Sequence, residues 1–218
     1  MEPLESEISL FPLHLVLFPT MVLPLRIFEE RYKLMLRACL EADRQFGVVL
    51  IKEGEEVGTP AIPYTVGTLA RIHQVTPVED GQFHLLVMGE RRFHLLEVTE
   101  QYPYLKGRVQ FVHEEIGEPQ PTSEEIGAVR QALEKYLRSL LGLRGGWTRE
   151  VPSPTDPVGL SFYLGAVLGG EATERQRILE APTARERLAL LTPLLQRENE
   201  HVQAVLKERV TPKGESLN

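Results

Sequence analysis

The 218-residue chain has a single cysteine, Cys39. One thiol can neither close an internal disulfide nor form a four-cysteine zinc site. Stability must therefore come from a hydrophobic core, which a chain of this length can bury. Cys39 falls in an apolar helical pattern and is expected to be a buried, inert thiol, and the chain reads as cytoplasmic. A basic leader is missing too. The opening MEPLESE carries three glutamates and no Lys or Arg, whereas a signal peptide needs positive charge before its apolar stretch. Nor is there an uninterrupted greasy run of about 20 residues, the length that spans a bilayer. The closest approach, LFPLHLVLFPTMVLPLRIFEERY, is cut by Pro12, Pro19 and Pro24. No membrane span is expected; the run is core-forming, and its prolines mark strand ends or sheet edges.

Positive charge is also scarce where it would matter. The net charge is −7, and residues 171–218 hold eight acidic and eight basic side chains, so the whole excess lies in residues 1–170. Residues 109–129 contain five glutamates and no Lys or Arg. A nucleic-acid binder gathers basic side chains on one face, so the charge distribution weighs against nucleic acid as a partner. Arg91-Arg92 beside Phe93 could stack and pair with a strand of RNA, but reads better as structural arginines paired with local acids such as Glu90.

Motifs that carry chemistry are absent. There is no GxxxxGKS/T, no GxGxxG opening a helix and no HExxH. Ser161 lies in GLSFY, which lacks the second glycine of a nucleophile elbow. His73, His84 and His94 fall on three successive expected strands and could converge on a metal, yet each alternates with apolar neighbours as a solvent-facing residue would. No catalytic residue, cofactor or metal is assigned.

What is present is pattern. Short extended segments are expected at residues 8–13, 15–18, 22–28, 46–51, 67–75, 82–88, 92–98 and 106–112. FGVVLI reads as a strand buried on both faces. Glu79-Asp80-Gly81 has hairpin chemistry, and Gly89-Glu90 reads as a second turn. Close antiparallel spacing suggests a meander or small barrel. One helix interrupts it: in EERYKLMLRACLEADRQ, Tyr32, Met35, Leu36, Cys39 and Leu40 share a face, leaving Arg31, Lys33, Arg37 and Glu41 to solvent, and this helix is expected to cover one opening of the barrel. Tyr102-Pro103-Tyr104 reads as a bend packing on the core. A linker at 117–125 ends in a capping box, Thr122 with Glu125. Helices follow at 124–141, 158–168, 174–180 and 184–209. Thr173 with Gln176 and Thr183 with Glu186 repeat the capping spacing, Leu188, Leu191, Leu195, Val202 and Leu206 form one stripe, and Pro193 should kink or split the last helix. The tail TPKGESLN is expected to fray.

In order along the chain, LFPLHLVLFPTMVLPLRIFEERY, FGVVLI, GTLARI, MGERRF, YPYLKGRV, LSFYLGAVL and RQRILEAPTARERLALLTPLL resemble the substrate-binding (LON) domain at the N-terminus of ATP-dependent Lon proteases, especially stand-alone proteins made of that domain. The resemblance covers residues 8–207. It implies an α+β fold: a PUA-like β-barrel lobe with one inserted helix (residues 1–117), then an α-helical bundle lobe ending in a long C-terminal helix (118–218). The protease's ATPase module and catalytic Ser-Lys pair have no counterpart in this sequence. The implied function is a non-enzymatic protein- or peptide-binding module. Its expected partners are unfolded or tagged polypeptides and a separate protease or ATPase, with a second copy of the chain available to the apolar positions of the last helix. RNA binding, which PUA-like folds host elsewhere, is the alternative. The residues expected to touch a peptide are Phe18, Pro19, Met21, Arg26, Phe28 and Tyr32, although taken singly each reads first as core packing of the barrel.

Overall fold

The computed structural model describes residues 5–56 and 61–210, the side chains of 208–210 excepted. The expectation for TPKGESLN lies outside the described residues. Within them the protein is α+β, with strands β1 (Glu5–Leu13), β2 (Val22–Ile27), β3 (Gln45–Glu53), β4 (Ile62–Val78), β5 (Gln82–Glu100) and β6 (Lys106–Phe111). Helices are α1 (Glu30–Glu41), α2 (Ser123–Leu143), α3 (Pro157–Val167), α4 (Ala172–Glu180) and α5 (Ala184–Val210). Two compact units result: residues 1–114 with 165–181, and residues 115–164 with 182–218. The segment bearing α4 thus belongs with the strands, where a simple cut at residue 117 would place it with the helices.

In the first unit the sheet order is β2-β5-β4-β3-β1-β6, and β6 also pairs with β5. That extra pairing closes β5, β4, β3, β1 and β6 into a ring, and β2 hangs on β5 as the free edge. β1 and β3 run parallel, with Leu10 opposite Gly47, because β2 and α1 intervene between them in sequence. A pure antiparallel meander does not describe this unit. The prolines fall where no ladder donor is lost. Pro24 is on the edge strand β2, and Pro12 lies beyond Ser9, the last β1 residue paired with β6.

The expected hairpin at Glu79-Asp80-Gly81 forms, with Asp80 and Gly81 at φ 60 and 64. The turn expected at Gly89-Glu90 does not. β5 is one strand of 19 residues, and its register against β4 shifts between Ala70 opposite Gly89 and Leu69 opposite Arg91, a bulge at Glu90. Gly89 is needed for close approach: a Cβ there would collide with the carbonyl oxygen of Phe18. Residues 15–18 are not a strand but an irregular loop, and its backbone is paid in hydrogen bonds. Buried Thr68 Oγ1 donates to Leu17 O at 2.6 Å, and Thr20 N donates to Gly89 O at 2.8 Å.

The α1 face packs as expected: Tyr32, Met35, Leu36 and Cys39 join Phe11, Phe46, Leu85 and Val87 in one cluster. Two residues expected in solvent depart from that: Lys33 is buried along its stem with Nζ 2.8 Å from Glu30, and Arg31 is half-buried, donating to Glu29 and to Glu56 O. Tyr104 is core while Tyr102 is exposed, so the aromatic corner divides.

Arg92 fastens α4 to the strands. Its side chain is 2% exposed, and its guanidinium donates to both Glu114 oxygens at 2.7 and 2.8 Å, to Leu179 O and, at 2.8 Å, to Ala181 O. Gln176 Nε2 adds a bond of 3.0 Å to Val66 O. Gln176 is therefore committed to β4, and the capping box expected from Thr173 is not made; the N-cap is Glu171 and has no side-chain bond.

In the second unit the Thr122–Glu125 capping box is complete, and Glu186 N donates to Thr183 Oγ1 at 3.2 Å. α2 packs on α5, with Leu133 and Tyr136 buried on one and Leu188, Leu191, Leu195 and Val202 on the other. α5 runs unsplit through Pro193, which faces solvent. Asn199 Nδ2 bridges Ala132 O and Leu195 O at 3.0 and 3.1 Å. Ser161 is structural: its hydroxyl donates to Val158 O and accepts from Arg187 Nε at 2.9 Å.

Replacing Arg92 by Ala leaves Glu114 and two carbonyls without their donor. We expect a loss of about 3 kcal/mol, measured as a lower urea midpoint; a loss below about 1 kcal/mol would show that the pin is not structural.

Candidate functional site

The six residues expected to touch a peptide separate into three environments. Phe18, Pro19 and Tyr32 are buried. Phe18 lies directly beneath Gly165, where an added Cβ would be 2.6 Å from its ring. Tyr32 stands edge-on to Phe11 at 4.3 Å, with the Arg31 guanidinium 4.6 Å from its centroid. Met21 is half-buried and forms part of a groove. Arg26 and Phe28 face solvent, with Arg26 Nε donating to Gln82 Oε1 at 2.8 Å and Phe28 49% exposed.

The outward residues belong to a larger surface. On β2, Val22, Pro24 and Arg26 alternate outward while Leu23 and Ile27 point into the core. Register puts Val22 opposite Met88, Pro24 opposite Leu86 and Arg26 opposite His84. Val22 is 53% exposed and Leu86 38%, so two strands present one apolar strip flanked by polar side chains. Sequence reasoning missed Val22 and Leu86. The signal was in FHLLVM, where Leu85 and Val87 take the core parity and leave Leu86 outside.

The groove with Met21 has a volume of about 420 Å³ and is walled by Leu15, Val16, Met21 and the start of α4, including Glu171 and Arg175. The Arg175 guanidinium donates to Leu168 O, reaches Val16 O at 3.5 Å and the Met21 sulfur at 3.9 Å, and lies 5.0 Å from the Phe18 ring centroid. Burial lowers its pKa.

The other candidates are placed as follows. His73, His84 and His94 are all exposed, and His84 sits opposite Thr76 while His94 sits opposite Val66. Among the described residues, no three His, Cys, Asp or Glu side chains are grouped to hold a metal ion. Arg91 lies over the Phe111 ring at 3.6 Å. Arg92 is engaged with Glu114, and Glu90 pairs with Arg71. In the second unit one groove of about 360 Å³ is lined by Leu137, Leu141, Val151 and Tyr163, and the nearby Trp147 is 85% exposed. No described helix is long and apolar enough to cross a membrane.

The ring of strands with an appended edge strand and a helical second unit defines an α+β class, and comparison identifies the family. The chain matches the ATP-dependent protease La (LON) substrate-binding domain over residues 7–197, and belongs to that family. It is similar to Lon protease 2 of Myxococcus xanthus, 29% identical over 98% of this chain and 26% of that protein. It is also similar to Lon protease of Heliobacterium modesticaldum, 30% identical over 94% of this chain and 26% of that protein. The chain thus spans about a quarter of the length of these relatives. The crystal structure of a Lon N-terminal domain protein from Xanthomonas campestris superposes with a TM-score of 0.66 at 27% identity, covering 86% of this chain and 98% of that one.

Burial gives the core a testable titration. It raises the Cys39 thiol to about 11 and the Tyr32 hydroxyl to about 12, against ordinary values of 9.0 and 10.0. Both groups are neutral when protonated, so their contribution is full below pH about 9 and is lost as pH rises towards 11 and 12. Urea midpoints should fall between pH 8 and pH 11, and less steeply in Cys39→Ala. An equal fall in both proteins would remove Cys39 from the explanation.

Proposed function

We propose that the chain is a non-catalytic polypeptide-binding module that holds unfolded or tagged polypeptides on the β2–β5 face. The carrying observation is the apolar strip of Val22 and Pro24 on the edge strand β2 and Leu86 beside them on β5. Exposed apolar surface rimmed by polar groups is characteristic of protein-binding sites. Family membership supports the same reading, since the matched domain is described as substrate-binding. Pro24 favours a client lying across the face: a strand added along the free edge of β2 would meet a residue with no N–H to give. Arg26 and Phe28 border this face and Met21 opens onto the groove. Phe18, Pro19 and Tyr32 are buried and belong to its supporting structure, Tyr32 in the same core cluster as Leu23, Ile27, Leu85 and Val87.

In this reading the work on a bound polypeptide is done by a separate protease or ATPase, in the cytoplasm, and the helical region from about residue 118, without the α4 segment 165–181, serves as the second lobe. The buried state of Cys39, the engaged hydroxyl of Ser161 and the scattered histidines supply no nucleophile with a base beside it.

The test is a double substitution, Val22→Asp with Leu86→Asp, in the full chain. Both side chains are exposed, so the unfolding midpoint should hold, while affinity for a reduced and alkylated, permanently unfolded protein should fall about tenfold as two apolar contacts are lost. Unchanged affinity would overturn the placement, and peptidase turnover by the purified chain would overturn the reading.

A further inference from the structure

The strip on β2 and β5 explains how an extended client could be held, but gives no role to the groove beside it. That groove contains an unusual cation. In the same unit Arg31, Arg71 and Arg92 each meet a carboxylate, Glu29, Glu90 and Glu114 respectively. Arg175 is half-buried, yet its partners are the carbonyls of Leu168 and Val16, the Met21 sulfur and the Phe18 ring. Among the described residues no carboxylate lies within ion-pair distance of it. A guanidinium has five N–H donors in a fork matched to a carboxylate, and one close carbonyl, Leu168 O, with a second, Val16 O, at the limit of reach at 3.5 Å does not exhaust them. Removing such a cation from water is costly unless an anion compensates it.

The apolar wall is in contact with this charge. The Met21 sulfur is 3.9 Å from Arg175 Nη2, and Leu15 and Val16 continue the wall. A ligand satisfying both must therefore carry its anion and its apolar group on nearly the same atoms. The last residue of a polypeptide does so when its side chain is aliphatic, because the carboxylate and the side chain leave one Cα. An internal Asp or Glu would have to bring its apolar group from a neighbouring residue. The opposing charge is Glu171 at the rim, and His14 across it is drawn to Glu55 at 3.6 Å.

We propose that this groove binds the free C-terminal carboxylate of a polypeptide ending in an aliphatic residue, with Arg175 receiving the carboxylate and Leu15, Val16 and Met21 receiving the side chain. The inference rests on the polypeptide-binding reading and names the part of the client that this groove selects: an exposed, apolar chain end.

The test uses the full chain and two fluorescein-labelled peptides of sequence Gly-Gly-Ser-Ala-Leu, one with a free C-terminus and one amidated, followed by fluorescence anisotropy. The free acid should bind at least about tenfold tighter, the value of one charge-assisted pair, and Arg175→Gln should abolish the difference. Equal binding of acid and amide overturns the proposal. Because Arg175 also holds Leu168 O, its substitution could unfold the protein. Glu171→Gln then decides. That side chain is exposed and caps nothing, so removing its charge should strengthen the acid about twofold and leave the amide unchanged; no change overturns the proposal. The unfolded protein used above is titrated in parallel. If it binds while acid and amide do not differ, only the groove assignment fails; if neither client nor peptide binds, both readings fail.

Discussion

Everything in the first unit depends on β5 serving three neighbours at once. Its first half pairs with β2 and β4, and its second half with β4 and β6. The change of partners falls at Gly89-Glu90, where the bulge bends the strand and the Phe18 carbonyl comes against Gly89. Beyond the bulge, Arg92 turns inward and reaches Leu179 and Ala181. One strand therefore closes the ring, leaves β2 as an edge and pins α4. Its register also sets which side chains of the β2–β5 ribbon point outward.

That arrangement explains why so apolar an opening stretch is broken so often. Between β1 and β2 the chain must leave the ring, pass under Gly165 and return as an edge strand, which no regular element can do in eight residues. Its prolines sit where the ladder has no partner to lose. Its carbonyls are answered by Thr68 and Arg175 rather than by a neighbouring strand. The same loop forms one wall of the groove and α4 forms the other, so the elements that stabilise the unit also shape its second concavity.

The local features of the fold were legible because their physics is local. FGVVLI announced a strand buried on both faces, Glu79-Asp80-Gly81 a hairpin, and Thr122 with Glu125 a helix start. Features set by distant partners were not. Gly89 looks like a turn until Phe18 is known to need the space, and Gln176 looks like half of a cap until Val66 claims it. Lys33 reads as solvent-facing until Glu30 and the packing of its stem hold it down. Residues 165–181 read as part of the helical region because the bonds from Arg92 and Gln176 span more than eighty residues. Of the candidate site, Arg26, Phe28 and Met21 were visible as an exposed-or-core ambiguity, but Val22 and Leu86 required the register, and Arg175 required the fold.

The central claim is that the face carried by β2 and β5 is where a polypeptide is held, with the ring beneath it as a rigid support. Hydrogen–deuterium exchange on the full chain, with and without a reduced and alkylated unfolded protein, addresses it directly. The account predicts slower exchange in residues 22–27 and 83–88 when client is present, with the ring strands β3 and β6 unchanged. Protection confined to the helical unit, or no protection anywhere, would contradict it.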